Sequence, residues 1–287
     1  MSRLGILLIA AALNGAAAAA DGDAKVALRL PQQKQVVFRG VSSLDAAGGG
    51  PGAMMYPAPN VVGLLAAIAT HGFLSEATRN TEKAKIQEAA DKVLAPYQDI
   101  LKEFEHRQLM QRALERTTSF GEKRLLESGQ AAAGETLIES LPVFSMTQDQ
   151  RTLVLDNAVV FYAPNAPSES AYKITVRVVS RAKDADDLVA FWTADGGEPL
   201  KVESARLFAT SLELARRAAS RELDKGDAAP RTVRYLEGAS EKMERAHVLN
   251  SACDRMVIRT LRDALMSVPL KRAEGAPNAD CASGLID

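Results

Sequence analysis

Three histidines, two cysteines and one knot of acids are the residues of this 287-residue chain best suited to chemistry. His71, His106 and His247 stand far apart, and none lies in an H-E-x-x-H frame. A zinc site needs three or four converging ligands, so no metal is expected. Nucleophilic hydrolysis requires a serine on a strained G-x-S-x-G elbow, with a histidine to follow. Ser42, Ser43 and Ser119 have no such surroundings. The glycines around Pro51 (Gly48, Gly49, Gly50, Gly52) lack the Lys-Ser/Thr of a phosphate loop and read as a linker. No cofactor is expected.

Asp184, Asp186 and Asp187 crowd together, but the glycine and distal glutamate of a calcium loop are missing. A solvated turn is the simpler reading. Arg255, Arg259 and Arg262 would share a face if that stretch were a helix, beside Asp254 and Asp263. Ion pairing along the helix explains such a stripe more simply than an anionic partner does.

The cysteines, Cys253 and Cys281, gain meaning only from their compartment, and the N-terminus speaks to that. Arg3 precedes an apolar run of about ten residues, too short to span a bilayer as a helix. Asn14 and Gly15 break the run, and Ala16 to Ala20 offer small side chains for cleavage after Ala18 or Ala20. Residues 1–20 are therefore expected to be a cleaved signal peptide, and the protein periplasmic or secreted. In an oxidising compartment Cys253 and Cys281 become a disulfide candidate, worth about 3–4 kcal/mol by chain entropy. The formal charge of −1 gives no field drawing the chain to nucleic acid.

These residues need elements to hold them. Residues 26–30 and 35–40 are short extended candidates within a flexible N-terminal lead, 21–53. One α+β domain over 54–287 should follow. The apolar run 61–74 is too short to cross a membrane squarely. It is either a buried core helix or a surface meeting a partner or the membrane periphery. Met54, Met55, Tyr56, Val61, Leu64, Leu65, Ile68 and Phe73 are its candidate contact residues.

Helical spacing over 78–121 predicts two helices divided near Pro96. Residues 137–145, 152–162 and 172–181 are rich in β-branched and aromatic residues and predict an antiparallel meander. A turn is predicted at 194–199, a strong helix at 202–223 and a strand at 232–236, while 256–268 is ambiguous, with apolar residues that fit a helix closed by Pro269.

The expected fold is α+β: an antiparallel sheet of about three to five strands covered by several alanine-rich helices. The expected function is that of a non-catalytic binding or scaffolding component of the cell envelope, with an envelope protein as partner. The competing readings are an exported hydrolase with a site assembled from dispersed residues, and a periplasmic small-ligand binding protein.

Overall fold

The computed structural model describes residues 25–42, 79–165, 170–224, 228–252 and 255–270. Its centre is β5 (Leu153–Tyr162), apolar on both faces and buried along nearly its whole length. β4 (Thr136–Met146) and β6 (Tyr172–Val179) flank it antiparallel, with Leu155 opposite Phe144 on one side and Val178 on the other. The predicted meander is therefore present.

The sheet does not stop there. β1 (Val26–Arg29) runs parallel to the first part of β4, and β2 (Val37–Gly40) runs parallel to its last part. Pro142 stands in β4 after its last partner in β1, Ile138, and before its first in β2, Val143. A proline donates no ladder hydrogen bond, and this gap is where a strand tolerates one. β3 (Lys123–Leu126) adds an outer strand beside β1.

Beyond β6 come β10 (Leu265–Pro269), β9 (Arg255–Thr260), β8 (Ser240–Ala252) and β7 (Arg231–Glu237). β6 and β10 are parallel, and the others pair antiparallel. The result is one mixed sheet of ten strands. This corrects the expected fold, which had a purely antiparallel sheet of three to five strands under several helices.

The helices are few among the described residues. α1 (Arg79–Asp91) leads through a 3-10 turn (Lys92–Tyr97) into α2 (Gln98–Glu103). α3 (His106–Arg116) follows, and α4 (Leu188–Ala219) crosses the sheet over β5 and β6 with α3 against it. The second helix predicted near 97–116 is interrupted at Phe104 and Glu105. There the chain turns extended because the Phe104 carbonyl accepts Val36 N at 3.0 Å and His106 N donates to the Lys34 carbonyl at 2.7 Å.

α4 itself bends at Ala194–Gly197, where Asp195, Gly196 and Gly197 all have positive φ. A Cβ on Gly197 would lie 2.5 Å from Ile100 Cγ2, so glycine is required there for space as well as conformation. Pro199 then opens the straight part of the helix, at a position where its missing N–H costs nothing. The turn predicted at 194–199 is this bend.

The 256–268 segment is the other correction. It forms β9, a tight turn and β10, with Asp263 at φ 66° and its N–H donating to the Thr260 carbonyl at 3.0 Å. Its apolar residues at helical intervals belong to two strands instead.

Candidate functional site

The two polar residues inside β5, Asp156 and Asn157, point to opposite faces of the sheet and explain what each face does. Asn157 faces α4. Its Oδ1 accepts from Ser140 Oγ at 2.7 Å and its Nδ2 donates to Ser211 Oγ at 2.8 Å, joining β4, β5 and the helix. Asp156 faces the other way and lies in register with Arg177 of β6. Arg177 Nε and Nη2 donate to the two carboxylate oxygens, each at 2.9 Å.

That second face is closed by the sheet's own far end. β7 pairs with β8, yet Val233 and Tyr235 of β7 are buried with Val154, Val179, Met266 and Val268. The sheet thus curls back over itself. Its β7–β8 turn is fixed to the β4–β5 turn by Gly238 N donating to Thr152 Oγ1 at 3.1 Å and Ala239 N to Asp149 Oδ2 at 2.7 Å.

Inside the curl, burial works against the Arg177 charge, but Asp156, Glu237 and Tyr235 outweigh it and hold the guanidinium protonated above its usual range. Burial raises the Glu244 carboxyl, with Arg262 and Arg177 pulling the other way. Burial also raises the Tyr235 phenol. Bidentate pairing occupies both oxygens of Asp156, so this pair ties two strands together and presents no base to a substrate.

Other buried acids are engaged in the same way. Glu213 of α4 accepts Thr118 N at 2.6 Å and Ser119 N at 3.0 Å, and also the Ser119 hydroxyl. Burial alone would raise the Glu203 carboxyl, but Arg206 and Lys183 outweigh it and hold the carboxyl below its usual range. The Trp192 indole donates to the Gln150 carbonyl at 2.7 Å, and Tyr97 Oη to Gln150 Oε1 at 2.5 Å. Among the described residues no group of three or more His, Cys, Asp or Glu converges to hold a metal.

The residues singled out in the sequence fall apart in space. His106 is buried at the start of α3 with Nδ1 3.0 Å from the Gln33 carbonyl, and burial lowers its affinity for a proton. His247 is on β8, its Nδ1 2.7 Å from the Ala228 carbonyl. Asp187 accepts from Ala190 N at 2.9 Å as the cap of α4, and Asp184 pairs with Arg151. The expected helical stripe of arginines is split. Arg255 and Arg259 lie on β9, while Arg262 sits in the turn after it. His71, Cys253, Cys281 and the apolar contact residues of 54–74 lie outside the described residues.

What the molecule does present is a wing. β7 and the first part of β8 extend past α4. In register, Met243 shares the α4-side face with Arg234, and Arg245 and His247 follow on that same face. Met243 is 57% exposed, and Leu261, in the β9–β10 turn at the same end of the sheet, is 58% exposed. Sequence reasoning missed this surface because its polar, irregular strand β8 has no alternation to betray it.

No helix among the described residues is long and apolar enough to cross a membrane. No family model, curated protein or solved structure matches this chain.

Proposed function

We propose that this chain is an exported cell-envelope protein, periplasmic or secreted, that binds or scaffolds another envelope protein. Export is supported by the order of Arg3, the apolar stretch after it and the alanines at 16–20. The observation that carries binding is the exposed pair Met243 and Leu261 at one end of the sheet. Burying the exposed part of two such side chains against a partner contributes about 2–3 kcal/mol. Arg234 on the same face is already paired with Glu241 at 2.5 Å, and Arg245 beside it suits a partner with an apolar centre and an acid at its rim. The segment 54–74 is, in this reading, a second contact region facing the partner or the membrane periphery. Cys253 and Cys281 form a disulfide.

The test is the double variant M243D/L261D of the mature chain. Both side chains are exposed, so stability should stay within about 0.5 kcal/mol of the parent. Recovery of the envelope partner on the tagged variant should fall to background. Undiminished recovery with a stable variant rejects the wing as the binding surface.

A further inference from the structure

β8 switches faces part-way along. His247 and Val248 stand opposite Arg259 and Ile258, but the next pair is Asn250 with Val257, so one extra residue is taken up as a β-bulge. A bulge reverses the faces of the side chains that follow, and bulges gather where a side chain is re-aimed. Ala246 and Val248 pack inside the curl, and plain alternation would send Asn250 and Ala252 after them. The bulge instead turns both to the side of α4, with Arg255 and Val257 of β9 and Ser267 of β10.

Thr210 and Leu214, one helical turn apart on α4, close the space above, and a cleft of about 40 Å³ remains. Leu214, Val257 and Ala252 give it apolar walls. The polar groups around it can all donate. Arg255 Nε donates to Ser267 Oγ at 3.2 Å, and its Nη2 donates to the Val179 carbonyl at 2.8 Å and the Ser267 carbonyl at 3.0 Å. Those bonds fix the guanidinium plane at the cleft floor. The Ser267 hydroxyl accepts from Arg255 and keeps its own proton to donate. The side-chain amide of Asn250 makes no hydrogen bond among the described residues.

We propose that this cleft binds a small aliphatic carboxylate, with Asn250, Ser267 and Arg255 at its oxygens and a tail of one or two carbons against Leu214 and Val257. A guanidinium, a hydroxyl and an amide beside apolar walls match that chemistry. Volume sets the tail. One water needs roughly 10–15 Å³, so the cleft takes about three or four heavy atoms and no drug-sized ligand. The site makes no use of Met243 or Leu261 and is independent of the wing.

The test is a methyl NMR titration of the purified chain with propionate, propionamide and trialanine. The Leu214 and Val257 methyls should shift saturably with propionate, half-saturating on the order of 1 mM. Propionamide, which lacks the charge, should bind at least about tenfold more weakly. Tighter saturation by trialanine than by propionate assigns the carboxylate to a peptide end, and weaker saturation to a free acid. Asn250→Leu should weaken propionate at least about tenfold, and Ala252→Leu, which fills the cleft, should abolish the shifts. Both positions are half-buried, so urea midpoints should stay near that of the parent. Three results overturn the assignment: no saturable shift at either methyl, equal binding of propionate and propionamide, or undiminished propionate shifts in a stably folded A252L.

Discussion

At Gly40 a methyl group has nowhere to go: an added Cβ would lie 1.9 Å from the Ala90 carbonyl oxygen. The glycine lets β2 meet the end of α1, where Gly40 N donates to Asp91 Oδ1 at 2.8 Å and Arg39 pairs with the same carboxylate at 2.9 Å. Gly40→Ala should therefore cost about 2 kcal/mol or more, read as a lower urea midpoint with an unchanged slope. His106 makes a pH prediction. Burial lowers its folded-state pKa below the ordinary 6.5, so an unfolded chain takes up the proton first as pH falls. Its contribution is intact above about pH 6.5 and is lost as pH falls towards the folded value, at no more than about 1.4 kcal/mol per pH unit. Urea midpoints measured from pH 7 to 5 should decline for the parent and decline less for His106→Asn. Parallel pH profiles would place the acid sensitivity elsewhere.

Between strands, the Arg177–Asp156 pair is the clearest lever. Removing one partner, as in Arg177→Met, strands a carboxylate inside the curl and should cost about 3 kcal/mol. The double variant R177M/D156L should recover most of that loss, because two apolar side chains suit the neighbouring Val154 and Val179 cluster. If the two losses simply add, the pair is not coupled as its geometry requires. At this scale the sequence was informative where burial was two-sided or strictly alternating. β5 and β6 could be read for that reason, as could the bend before Pro199. β8 could not, because its wing face is partly open and its residues therefore carry no period-two signal. The 256–268 segment misled because Val257, Leu261, Ala264, Leu265 and Val268 fit a helical stripe, while the turn at Asp263 depends on a positive φ that its residue type only weakly signals. Asp156 and Asn157 were visible as polar residues in an apolar strand, but their partners lie on β6, β4 and α4, beyond any local spacing.

At the scale of the molecule, the long sheet divides the labour. α4, with α3 packed against it, covers one face of β5 and β6 and builds the larger core, in which Phe38 stacks on Phe144 with centroids 5.1 Å apart. The far strands curl over the opposite face, and in doing so they carry β7, β8 and the β9–β10 turn out past the helix. The exposed wing follows from this topology and from no local motif, which is why no spacing in the sequence could locate it. The most direct test of its role is a photo-crosslinking residue placed at Met243 in the full chain within its native envelope, with the same residue at the exposed Asp99 of α2 as control. The account predicts a discrete adduct from position 243 that is absent at 99 and disappears when Leu261→Asp is added. Identical patterns from 243 and 99, or an adduct at 243 unaffected by L261D, would contradict it.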